Sequence, residues 1–198
     1  MPIIMNDQEL MYAIKTTYGA AIEEACKASS VPPAWLAALI ANESGGKADA
    51  KRFEKGVLTA LWEVLLGRKA AYGSIGRADL VQFVSGRSAQ LVQVPSSLPT
   101  DTYQRLDGLA TSWGLTQLMG YHVFEFNCTL DNLKDPARSL EITLRLAAQF
   151  IARNQLDVRD TKDLGELFDC WNTGRPDGVT FDPNYVTNGL ARMELYGT

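Results

Sequence analysis

One histidine, three cysteines and no cluster of lysine and arginine stand among the 198 residues, and each scarcity removes a class of function. His122 alone, with Cys26, Cys128 and Cys170 far apart and no Cys-x-x-Cys pair, makes neither a zinc pattern nor a disulfide framework, so free buried thiols are expected. A net charge of -4, with the acids scattered, gives no basis for a nucleic-acid groove and steers the protein poorly toward anionic polymers. No apolar run approaches the length of a membrane span. Met1 to Asp7 lacks a basic segment followed by an apolar one, so export by a standard signal is not expected. Asn127-Cys128-Thr129 matches the glycosylation sequon, a pattern short enough to arise by chance, without a secretory context here. With a single histidine and no Gly-x-Ser-x-Gly, serine-hydrolase chemistry has no support.

What remains is a chain 46% hydrophobic, long enough to form one domain over residues 1–198 that buries roughly 70% of its unfolded surface without staples. No repeat, low-complexity tract or linker divides it. Helical periodicity runs from Asp7 to about Ala28, and Ser29-Ser30-Val31-Pro32 separates it from a second helix. Lys47 to about Asp107 reads as a lobe of loops and short elements, with Ala89 to Pro95 the best strand candidate. Asp101 to Ala110 is helical in pattern. Asp135 to Asn154 is the clearest amphipathic helix, with Leu140, Leu144, Ala147, Ala148 and Ile151 in register. Lys162 to Trp171 forms a further helix stopping at Asn172-Thr173-Gly174, and Asn184 to Met193 a short last one.

The second helix carries the most informative residue. In Pro33 to Gly46, proline opens the run and paired glycines stop it, while Leu36, Leu39, Ile40 and Glu43 fall at i, i+3, i+4 and i+7. Glu43 therefore points where the apolar residues point, at the helix end whose dipole disfavours negative charge. A carboxyl group so placed should keep its proton to higher pH than a free glutamate, as a general acid near neutrality requires. The plain alternative is an acid that reaches water or pairs with Lys47 or Lys51.

Four pieces stand in order: Glu43-Ser44, Arg52-Phe53-Glu54, Ser112-Trp113-Gly114-Leu115-Thr116-Gln117-Leu118-Met119-Gly120, and Trp171-Asn172-Thr173-Gly174 with Tyr185 downstream. Together they resemble the lysozyme-like superfamily of peptidoglycan-cleaving enzymes, the soluble lytic transglycosylases and N-acetylmuramidase domains, with the muramidases closer around Trp113. The resemblance spans about Pro33 to Tyr185 and rests on the order of the motifs, since each alone is common. Thr116 replaces the transglycosylase Met, Trp171 replaces Tyr and Thr173 replaces Ala.

The resemblance implies a mainly α, lysozyme-like α+β fold in which a helical domain and a small irregular or β-containing lobe flank a cleft. It implies cleavage of the β-1,4 bond between N-acetylmuramic acid and N-acetylglucosamine, with Glu43 as general acid/base and no cofactor or metal. Glu54 would be the second carboxylate of a hydrolase; without one, the muramic acid 6-hydroxyl closes on its own anomeric carbon. Ser44, Trp113, Gly114, Gln117, Met119, Trp171, Asn172 and Tyr185 are the implied substrate contacts, with Tyr185 as the family's aromatic near the acid. These residue types are suited to carbohydrate, with indole faces for sugar rings, a glycine backbone open to close approach, and neutral amides for hydroxyl and acetamido groups. Most have a structural counterpart reading as well: Ser44 as a helix-end hydrogen bonder, Glu54 as a surface ion pair, Trp113, Trp171 and Tyr185 as packing, Gln117 and Asn172 as loop braces. Trp35 and Trp62 are assigned to packing and His122 to a structural or surface role.

The expected partners are peptidoglycan strands, with phage association or a secretion machine as the means of delivery, and neither nucleic acid nor a membrane span. From a different class stands a non-catalytic wall-binding or virion structural module of the same fold. A chitinase-like enzyme is a third, weaker reading.

Overall fold

The computed structural model describes residues 5–85 and 102–197, which are mostly helical with small antiparallel sheets. The first half runs α1 (Asp7–Cys26), α2 (Pro33–Ser44), β1 (Lys51–Phe53), α3 (Lys55–Leu65), β2 (Ala71–Tyr72), β3 (Ile75–Gly76), α4 (Arg77–Ser85) and α5 (Thr102–Leu109). Then follow β4 (Thr111–Trp113), β5 (Leu118–Met119), α6 (His122–Phe126), α7 (Leu130–Lys134), α8 (Pro136–Asn154), α9 (Thr161–Thr173) and α10 (Tyr185–Gly197). The strand expected over Ala89 to Pro95 lies outside the described residues. Among those described, no helix is long and apolar enough to cross a membrane.

The chain divides into two compact units, neither of them contiguous: Met1–Ala50, Gly114–Thr116 and Lys134–Thr198 form the first, Lys51–Trp113 and Gln117–Leu133 the second. In the first unit α1, α8, α9 and α10 supply the core around α2. Local chemistry fixes where these helices begin. Asn6 and Glu9 exchange side-chain to backbone hydrogen bonds of 2.9 and 3.0 Å in a capping box, and Asp135 and Asp160 accept from Arg138 and Lys162 amides at the heads of α8 and α9.

Helix α2 departs from the amphipathic stripe that its spacing predicts. Trp35 through Ile40 are all 0% exposed, so it is buried on every side, as a helix apolar all round must be. Trp35 stacks on Phe168 of α9 with ring centroids 5.1 Å apart. Each such large side chain contributes roughly 1.5–3 kcal/mol on burial. Along α8 the buried set is Ser139, Leu140, Ile142, Thr143, Leu144, Leu146 and Ala147, while Ala148, expected in the apolar stripe, is exposed.

The second unit is more helical than its glycine-punctuated sequence implies. In α3, Leu58, Leu61, Val64 and Leu65 make a buried face; Gly56 sits in its first turn and Gly67 just beyond its end, where neither breaks it. Its three-stranded sheet has the order β1-β4-β5, antiparallel throughout, pairing Arg52 with Ser112 and Ser112 with Met119. β2 and β3 form a separate hairpin. Gly120 lies so close to Gly108 that a Cβ there would stand 1.9 Å from the Gly108 carbonyl oxygen, so only glycine fits.

Cys26 and Cys170 are buried and Cys128 is half-buried, all as free thiols. Burial pushes the Cys26 and Cys170 thiols up to about 11, which keeps them protonated and inert.

Candidate functional site

Glu43 sits in the last turn of α2, where the buried helix reaches the edge of the first unit, and its side chain is half-buried. Gly45 ends the helix in the left-handed region with φ 59°, and its amide donates to the Ala41 carbonyl at 3.3 Å. Ser44 folds back on the helix, its hydroxyl donating to the Ile40 carbonyl at 3.1 Å.

The Tyr185 hydroxyl donates a short hydrogen bond to Glu43 Oε1, joining positions 142 apart in the chain. Tyr185 opens α10 and is only 7% exposed, edge-on to Phe168. Burial, then the Glu43 charge and the bond to it, push its phenol far above the ordinary tyrosine range; hydrogen bonds from the Asn42 and Asn172 side chains offset only part of this. The hydroxyl is therefore a fixed neutral donor to the Glu43 carboxyl group. Asn172 itself is exposed, at the end of α9.

Trp171 is half-buried: its ring meets Trp35 edge-on at 6.3 Å, and its indole N–H donates to the Thr116 carbonyl at 3.2 Å. Thr116 is fully buried, its hydroxyl 2.7 Å from that of Thr143. Because the Thr143 hydroxyl donates to the Ser139 carbonyl at 2.8 Å, Thr116 is the donor of the pair. Gly114 is buried with φ 73°, which gives a backbone reason for glycine there, and its amide donates to the Ala50 carbonyl at 2.9 Å.

The remaining motif residues belong to the second unit. Trp113 is half-buried and its indole donates to the Gly108 carbonyl at 2.9 Å. The Ser112 hydroxyl donates to Gln117 Oε1 at 2.8 Å, with Gln117 at φ 53°, and Met119 is half-buried on β5. Glu54 heads α3 without capping it and pairs with Arg52 at 2.6 Å, the two side chains 35% and 73% exposed.

Glu54 also acts on Tyr72, whose hydroxyl is pushed up first by burial and then by that charge. Tyr72 and Tyr121, rings 5.5 Å apart, line a hollow of about 300 Å³ at the β2–β3 hairpin with Ser74, Ile75 and Glu125. None of the motif residues lines it. His122 sits between the Tyr121 and Phe126 rings with Nδ1 2.8 Å from Glu125, and burial lowers its pKa despite that partner. Trp62 packs edge-on against Tyr103 at 5.5 Å.

The structure thus brings Glu43, Asn172 and Tyr185 together, and ties Trp171 to Thr116. Sequence reasoning passed over Asn42 and Arg192, which brace this cluster, and Thr143. Asn42 carried a signal, as the other polar residue among the alanines, leucines and isoleucine before Glu43; Arg192 carried none. No protein-family model, no curated protein and no solved structure matches this chain.

Proposed function

We propose that the protein cleaves peptidoglycan glycan strands at the β-1,4 bond between N-acetylmuramic acid and N-acetylglucosamine, on a lysozyme-like fold, with Glu43 as general acid/base. One observation carries this: the phenol of Tyr185, a motif residue 142 positions away, donates to the half-buried carboxyl group that ends a helix buried on all sides. A chain folded for packing alone has little reason to bring a carboxylate and a buried phenol together at such a place.

Glu43 gives its proton to the glycosidic oxygen as the bond to the anomeric carbon breaks. Tyr185, which holds its own proton, fixes the carboxyl oxygen and stabilises the anion left behind. Asn172 supplies an exposed amide for a hydroxyl or acetamido group, and Trp171 an aromatic surface. Glu54 is engaged by Arg52, which favours the route needing no second carboxylate. There the 6-hydroxyl of the muramic residue attacks its own anomeric carbon and returns its proton to Glu43, leaving a 1,6-anhydro end.

The test is release of soluble muropeptides from purified sacculi, with products read by mass spectrometry. The unaltered protein should release them, and Glu43→Gln should lower the rate by about 10²–10⁴-fold with the fold intact. Undiminished release by that variant overturns the assignment of Glu43. Binding to sacculi without any release by the unaltered protein would instead make the chain a wall-binding or virion module. A reducing end in place of the anhydro end makes it a hydrolase.

A further inference from the structure

We infer that Arg192 is a positioning residue for the Glu43–Tyr185 pair, acting through Asn42; its consequence for catalysis rests on the function proposed above, its effect on geometry does not. Arg192 Nη1 donates to Asn42 Oδ1 at 2.6 Å, and Asn42 Nδ2 donates to the Tyr185 carbonyl at 3.0 Å. A guanidinium only donates, so it claims the amide oxygen and leaves the NH2 group to face Tyr185. Arg192 is anchored in turn by Asp7, whose Oδ1 accepts from Nε at 3.0 Å and from Nη2 at 2.8 Å.

The tie spans three helices of one unit. Asp7 is the first residue of α1, Asn42 lies one residue before Glu43 on α2, and Tyr185 and Arg192 lie two turns apart on α10. It sets where α10 starts against the end of α2, which is where the phenol meets the carboxylate. The Arg192 side chain is 17% exposed, so its bonds are shielded from water more than a surface pair would be. An arginine that merely glued helices together would need no carboxamide relay to the residue that carries the phenol.

The test couples the two ends of the tie without substrate. With tyrosines carrying a ¹³C label, Glu43→Gln displaces the Tyr185 ring resonances; in an Arg192→Leu background that displacement should fall roughly by half or more. An unchanged displacement overturns the proposal. In muropeptide release, Arg192→Leu should lower kcat about tenfold with KM unchanged, the signature of lost alignment; a raised KM at constant kcat also counts against it. Should Arg192→Leu fail to fold, Asp7→Asn loosens the same tie at its exposed end and should reduce the coupling in the same direction. If the unaltered protein releases nothing from sacculi, the function proposed above fails while the resonance coupling still decides the role of Arg192.

Discussion

Glu43 and Glu54 carry the same carboxyl group into opposite surroundings, and the units that hold them account for the difference. In the first unit a helix buried on all sides delivers Glu43 to the buried phenol of Tyr185. In the second, Glu54 heads α3 just after the exposed strand β1 and meets the exposed Arg52 guanidinium of that strand instead. The half-buried end of one helix and the exposed start of another thus give the two acids different partners.

Four measurements break or sharpen that contrast. The largest effect is expected from Trp35→Ala, which empties the centre of the first unit and should cost about 3–5 kcal/mol in urea unfolding. Trp35→Phe should cost less than this, because the indole N–H is buried without a partner and its removal relieves that. Gly120→Ala forces a methyl into the Gly108 backbone of the second unit and should destabilise it by about 1–3 kcal/mol or more. If hydrogen exchange then loosens both units equally, the two are not separate in stability.

Thr143→Val strands the Thr116 hydroxyl and should cost about 1–3 kcal/mol; a neutral result would mean that Thr116 finds another acceptor. The smallest effect concerns pH. His122 is held below its ordinary value by burial, so the unfolded chain binds its proton more readily than the folded one. The stabilisation is complete above the unfolded value near 6.5 and is lost as pH falls through the folded value. Thermal melts should therefore show a lower Tm at pH 5 than at pH 7.5, with His122→Gln flattening the slope; an unchanged slope removes His122 as its source.

The helices of the first unit were legible because their signals are local. Pro33, Gly45, Asp135 and Gly174 mark ends, and runs such as Trp35 to Ile40 declare burial outright. The site was legible only as an order of motifs; the resemblance set Tyr185 near the acid, but no periodicity links residues so far apart, and the hydrogen bond itself needed coordinates. The β1–β4 pairing was not legible, since three-residue strands leave no alternation to read and their partners are distant in sequence. Helix α3 was hidden by an emphasis on glycine over the Leu58, Leu61, Val64 and Leu65 spacing that overrides it. Arg192 was invisible because a half-buried arginine on a late helix reads like any surface cation.

Two of the positions that depart from the transglycosylase pattern, Thr116 and Trp171, touch one another: the indole of one holds the carbonyl of the other. The bond constrains Trp171 alone, since any residue at 116 offers the same backbone carbonyl. Exchanging Trp171 for Tyr surrenders the indole donor that Thr116 relies on, and a longer side chain at 116 must displace Thr143 as well. Position 171 thus answers to a donor requirement, and positions 116 and 143 to a shared pair of hydroxyls, so the two demands can be altered one at a time.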